Sequence, residues 1–289
     1  MPDINPWTRV TKKHPCPICG KPDWCTYRPG TRKVACMRVE SKKPTKNGGF
    51  LHYTDDAVKR PEPTRIEKRR ATHAVTGVDL ETLLSSSCTR FSLEFPIDPM
   101  TELGVSRLSL LRLETGLIGK SISFPMRDGF SKLVGFRLRG PDGSKWTVKG
   151  THNGLFIPTG LPPDGPGIAI PLLICEGPTD CAALLDLGYS AIGRPSCSGG
   201  ADHLIQYLKG KWRDIVIVSD NDEPKQVGDR TFCPGIDGAM RLAEALRNYA
   251  RSIRVIVPKK KDIREWVRQG ATKQAVNALI RNVSYFKAK

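Results

Sequence analysis

The segment 168–222, IAIPLLICEGPTDCAALLDLGYSAIGRPSCSGGADHLIQYLKGKWRDIVIVSDND, decides the fold. It opens on the apolar run IAIPLLICEG, which ends at Glu176 and Gly177, and continues into PTDCAALLDLGY, whose initial Pro and apolar spacing predict a helix. SAIGR reads as a short strand, ADHLIQYLKG as a helix, and DIVIVSDND as an apolar strand ending in acids. Further on, GIDGAMRLAEALRNYA predicts another helix, and SIRVIVPKKKDIREWVRQG a strand, a turn and a short helix. Near-continuous apolar strands that alternate with helices indicate a mostly parallel, Rossmann-like α/β sheet covered on both faces.

Upstream the pattern differs. Val78, Leu80, Leu83 and Leu84 begin a helical period with Asp79 as its N-cap, and a second helix is expected over 101–114. The runs ISFPMRD, LVGFRLRG and KWTVKG then alternate with period two across the turns DGFSK and PDGS, which predicts an antiparallel meander. Residues 41–75 are polar, interrupted by Pro and Gly, and read as a linker with a short strand or turn at 49–53. The expected divisions are therefore a small zinc ribbon-like β module of short strands at 1–40, this linker, an α+β subdomain at 76–166, and the parallel-sheet domain with a C-terminal helix at 167–289.

The 289-residue chain carries a formal net charge of +17, and residues 1–75 hold 17 Lys and Arg against 7 Asp and Glu. Such a basic field attracts polyanions, and nucleic acid is the commonest that a basic protein meets. No apolar run approaches the length that spans a bilayer, and the start MPDINPWTRV has no secretory apolar region, so the expectation is a cytoplasmic location, at the nucleoid or replication fork, with no membrane contact.

Nine cysteines then fall in a reducing compartment. Cys88, Cys175, Cys181, Cys197 and Cys233 are scattered and read as ordinary thiols, whereas Cys16, Cys19, Cys25 and Cys36 crowd into HPCPICGKPDWCTYRPGTRKVACMR. The C-x2-C pair and two further thiolates suit the tetrahedral site that structural zinc prefers. His14 or His52 is the alternative fourth ligand in place of Cys25. Trp24, Tyr27, Lys21, Arg28, Arg32 and Lys33 lie among the ligands, where stacking and phosphate-contacting groups suit single-stranded template, or the aromatics pack against the ligand loop.

Glu176, the pair Asp220 and Asp222, and Asp262 each follow a predicted parallel strand. Ligands of open α/β sheets gather outside those carboxyl ends, so acids distant in sequence converge there. Converging carboxylates suit Mg2+ or Mn2+, which keep positions open for water and nucleotide phosphates. Asp180, in the first turn of the helix after Glu176, either completes this cluster or complements the helix dipole.

EGPTD after an apolar strand, VSDND, and a later Lys-Asp before a helix resemble the TOPRIM domain of primases, topoisomerases, recombination mediators and old-type nucleases. FPMRDGFSKLVGFRLRG, KWTVKG and GLF ahead of it resemble the other half of the catalytic core of bacterial-type primases. With the cysteine cluster in front, nearly the whole chain looks like the compact primases of phages and mobile elements. The resemblance implies a DNA primase that makes short RNA primers on single-stranded DNA from NTPs. Glu176 would be the metal ligand or general base, Asp220 and Asp222 metal ligands, Asp262 an outer contributor, and Arg137, Arg139, Lys145 and Lys149 the template or nucleotide contacts. The family's common C-terminal helicase-binding region is expected to be missing, so that any helicase would act as a separate partner or dock elsewhere. A TOPRIM nuclease and a non-catalytic zinc-bearing nucleic-acid-binding protein are the alternatives.

Overall fold

A computed structural model of the chain describes residues 7–45, 48–56, 58, 79–95, 102–162, 170–227 and 230–286. Most of the expected linker, the residues Val78, Ile168 and Ala169, and the last three positions lie outside these. The chain divides into two compact units, one formed by residues 1–72 with 224–232 and the other by 73–223 with 233–289.

In the first unit β1 (Thr8–Arg9), β2 (Thr26–Tyr27), β3 (Lys33–Cys36) and β4 (Phe50–Tyr53) form one antiparallel sheet in sequence order. The strand read within the linker at 49–53 is thus β4, paired with β3. Among the described residues the buried core of this unit holds Val10, Tyr27, Val34 and the cysteines 16, 25 and 36, with Ile18, Cys19, Met37 and Val58 packed against it. So few side chains cannot offset roughly 1–2 kcal/mol of backbone entropy per ordered residue, and a metal ion is the usual remedy in modules this small.

In the second unit the expected parallel sheet is present. It has the order β10 (Ser190–Arg194), β9 (Leu172–Glu176), β11 (Arg213–Val218), β14 (Ala250–Ile256), every pair parallel. Alternate residues go to opposite faces. Leu173, Cys175, Ala191, Val216, Val218 and Ile256 join one core with helices α3 (Gly177–Asp186), α6 (Ile263–Arg268) and α7 (Lys273–Asn282). Leu172, Ile174, Ile192, Ile215, Ile217 and Ile253 join the other, with α4 (Ala201–Leu208) and α5 (Pro234–Leu246). On α5 the buried Ala239, Leu242, Ala243 and Leu246 follow the i, i+3, i+4, i+7 spacing that made the helix legible.

The meander is β5 (Gly116–Ile118), β6 (Ser121–Arg127), β7 (Leu133–Arg139) and β8 (Lys145–Thr147), antiparallel throughout. α1 (Leu80–Glu94), capped by Asp79, packs Leu84 against Leu133, Phe136 and Leu138 on one face. Ile122, Phe124 and Met126 on the other face enter the same core as α3, so meander and parallel sheet share one interior. Leu155 and Phe156 stitch the two, bridging to Arg127 of β6 and Gly193 of β10.

Two expectations shift. The helix expected over 101–114 is interrupted: Glu102 is helical, Leu103 lies in a turn, Gly104 takes a left-handed φ of 69°, and α2 (Arg107–Arg112) begins after Ser106, which caps it by accepting from Ser109 N–H. After β14 there are two helices where one short helix was expected. α6 ends before Gly270, whose φ is 95°, and α7 restarts on Thr272, which accepts from Ala275 N–H. Among the described residues no helix is long and apolar enough to cross a membrane.

Candidate functional site

In the first unit all four cysteine sulfurs lie within 4.8 Å of one another. Sulfurs at the corners of a tetrahedron around zinc, with bonds of about 2.3 Å, stand about 3.8 Å apart. The separations of Cys19 from Cys25 and of Cys25 from Cys36 are 3.7 and 3.8 Å. Backbone N–H groups of Met37, Arg38 and Val39 point at these sulfurs, donating to Cys25 Sγ at 3.3 Å and to Cys36 Sγ at 3.4 and 3.3 Å. Oriented donors of this kind stabilise thiolates, while burial pushes the Cys16 and Cys25 thiols up. The donor set fits zinc.

The two histidines are engaged elsewhere. His52 Nε2 lies 2.9 Å from the Val39 carbonyl, and His14 is exposed and bridged to Thr11. Tyr27 is 2% exposed within the module core, so of its two readings, stacking and packing, packing holds. Trp24 is 44% exposed, with a φ of 68°, and carries the Lys225 ammonium 3.7 Å from its ring centroid. Lys225 belongs to a hairpin, β12 (Lys225–Val227) with β13 (Arg230–Phe232), inserted in sequence between Asp222 and α5 and grouped with the first unit.

In the second unit the acids collect at the carboxyl edge of the parallel sheet. Glu176 ends β9, Asp220 lies two residues past β11, and Asp262 caps α6, accepting from Glu265 N–H at 2.6 Å. Two backbone bonds hold these loops together: Asn221 N–H donates to the Lys261 carbonyl at 2.7 Å and Ser219 N–H to the Ile256 carbonyl at 3.0 Å. Gly235 lets α5 approach, since a Cβ there would stand 2.2 Å from the Asp220 carbonyl oxygen. Gly193 does the same for the turn after Glu176, where a Cβ would meet the Gly177 carbonyl at 2.5 Å.

This gathering is electrostatically costly. Burial, then the charges of Glu176, Asp180, Asp222 and Asp262, push Asp220 up to about 8. Asp180, buried and accepting from Arg264 N–H at 3.2 Å, is pushed up to about 7 by burial and then by Asp262. Glu176 is raised by burial, with the positive charge of Arg194 opposing. Carboxylates that repel one another in a partly dry cleft fit a divalent cation, which would reverse the penalty. Among the described residues only the cysteines meet the 4.8 Å closeness; the acids are more widely spread.

Basic residues flank the acids. Arg137 and Arg139 share the face of β7 that carries Phe124 and Ile122 of β6 opposite them, and Lys145 pairs with Arg139. Lys145 is lowered by burial and by Arg139, while Asp180 and Asp262 act on it in the opposite sense, so its ammonium lies in the field of the acids. Arg137 donates to Asn153 Oδ1 at 3.3 Å and to the Pro195 carbonyl at 3.4 Å, on the loop after β10. Lys149 is exposed on the turn beyond β8. Sequence reasoning missed two cations here. Arg264 stands 3.9 Å from Asp262, and Arg194, 1% exposed, stands 3.4 Å from Glu176. An isolated Arg closing an apolar strand was the signal for the second.

No protein-family model and no curated protein matches the chain. Among solved structures, the E. coli primase catalytic core aligns with 71% of this chain and 79% of its own, at 21% identity and a TM-score of 0.52. A DnaG primase catalytic domain bound to ssDNA aligns with 71% and 77%, at 19% identity and a TM-score of 0.53. The Aquifex aeolicus primase, comprising zinc-binding and RNA polymerase domains, aligns with 73% of this chain and 64% of its own, at 14% identity and a TM-score of 0.53. Identities this low speak to architecture, and over about seven-tenths of its length this chain has the fold of the DnaG-type primase catalytic core.

Proposed function

We propose that the protein is a DNA primase, joining nucleotides into short primers on single-stranded DNA. The observation that carries this reading is the convergence of Glu176, Asp180, Asp220, Asp222 and Asp262 at one sheet edge, under mutual repulsion, within a primase-core fold. In this reading Glu176, Asp220 and Asp222 would hold Mg2+ or Mn2+, with Asp262 and Asp180 beside them, and the ions would supply charge neutralisation at the nucleotide phosphates. In the reaction the primer 3′ hydroxyl attacks the α-phosphorus of an NTP, a P–O bond forms, and the bond to pyrophosphate breaks.

The chain's own residues do the positioning. Arg137, Arg139 and Lys145 would grip template or triphosphate next to the acids, with exposed Lys149 an outer contact. Asp262 keeps one oxygen on Glu265 N–H, which supports an outer role for it. The cysteine set would hold structural zinc in a closed site, and Trp24 would offer a base platform. A lysine over an exposed indole is worth about 0.5–1 kcal/mol. A stacked base is worth about 1–3 kcal/mol, so a template base can displace Lys225 from Trp24.

The experiment incubates the protein with single-stranded DNA, magnesium and labelled NTPs. Labelled oligonucleotides growing with time are expected. Cleaved DNA would favour a TOPRIM nuclease, and neither product would favour a non-catalytic nucleic-acid-binding protein.

A further inference from the structure

Arg194 ends β10 directly opposite Glu176 at the end of β9. It is among the largest fully buried side chains of the molecule. One guanidinium nitrogen donates to the Cys197 carbonyl at 2.8 Å, another approaches Glu176 Oε1 at 3.4 Å, and Nε is buried without a hydrogen-bond partner. The Cys197 backbone N–H favours the charged form of the Glu176 carboxylate. Arg194 thus ties the loop after β10 to Glu176 at the sheet edge.

A guanidinium that served only to lock this loop would be expected to form a tight fork with its carboxylate, at about 2.7–2.9 Å. The observed approach is longer and single-sided, and Arg194 also lies in the field of Asp220. A second cation, the Arg264 guanidinium, stands 3.9 Å from Asp262, while the Arg264 backbone N–H donates to Asp180. Five carboxylates at one edge therefore have two cations built in beside them, and Arg194 is the drier.

We infer that Arg194 is an internal counterion of the acid site, neutralising Glu176 in the metal-free protein and relinquishing that role when divalent ions bind. The inference rests on the metal-site reading above. Arg194 is a positioning residue in this account: it conditions the carboxylates and does not touch substrate.

The test is thermal unfolding of full-length wild-type, Arg194→Met and Arg194→Lys proteins, in EDTA and in saturating magnesium. Met keeps most of the side-chain volume and removes the charge. The Tm of Arg194→Met should fall by several degrees in EDTA and recover most of the loss in magnesium, so its magnesium-dependent rise exceeds that of the wild type. Arg194→Lys should lie between the two. An equal loss with and without magnesium would mean that Arg194 only fills space, and would overturn the inference. A wild type whose Tm ignores both magnesium and manganese would overturn the metal-site reading itself. If Arg194→Met does not fold, Glu176→Gln is added to it. Recovery of folding in the double variant supports the counterion role, and failure of the double variant contradicts it.

Discussion

At the scale of single residues, the two metal-type clusters behave in opposite ways when altered. Each cysteine fills one corner of a set whose sulfurs already stand at tetrahedral spacing, so Cys16→Ser or Cys36→Ser should lower zinc content measured by elemental analysis and unfold the first unit. Full zinc in both variants would refute the assignment. The acids sit where folding is unfavourable to their charge. Asp220, at about 8 in the folded protein and near 4 when unfolded, binds more protons folded than unfolded between those values. Metal-free stability therefore falls as pH rises through that window. Asp220→Asn removes the penalty and should raise stability in EDTA at pH 8 by about 1–3 kcal/mol, while abolishing synthesis; Glu176→Gln should likewise abolish synthesis but without the stability gain, because it leaves the buried Arg194 guanidinium without its counterion. Chemical denaturation across pH checks this, and an Asn variant that is less stable at pH 8 would contradict it. The acids were legible because charged residues ending apolar strands have few other uses. Arg194 was not, because its role depends on a register that only the paired strands reveal.

At the scale of elements, the turn from β9 to α3 and the strand β10 are packed as closely as backbone allows. Gly193→Ala would drive a Cβ to 2.5 Å from the Gly177 carbonyl, and should cost about 1–3 kcal/mol in urea unfolding while moving Glu176. A neutral Gly193→Ala would show that the turn has slack. Strands and their alternation were readable from apolar runs, as were α1 and α5 from their spacing. α2 was overextended because Leu103 and Val105 are buried from a loop, where burial mimics helical period without the helix. α7 was missed because a helix of mixed polarity, KQAVNALIRN, buries only Val276 and Ile280. The hairpin after Asp222 has a polar sequence, EPKQVGDRTF, and carries no alternating signal strong enough to separate it from a loop.

At the scale of the whole molecule, the second unit has its own core, so residues 76–289 should fold alone, with the inserted hairpin carried along as an appendage. This core should extend a pre-annealed primer weakly and fail to start one on bare template, and salt should reduce initiation by the full chain steeply, as displaced counterions require. Equal initiation by both proteins would leave the cysteine module without a part in starting. The claim on which everything else depends is templated nucleotide joining at the acid edge. Its most direct test supplies homopolymeric single-stranded DNA with magnesium and one labelled NTP at a time. The account requires that each template draw its complementary nucleotide into an elongating product, and that Asp220→Asn abolish it. Incorporation indifferent to template, or undiminished in Asp220→Asn, would contradict it.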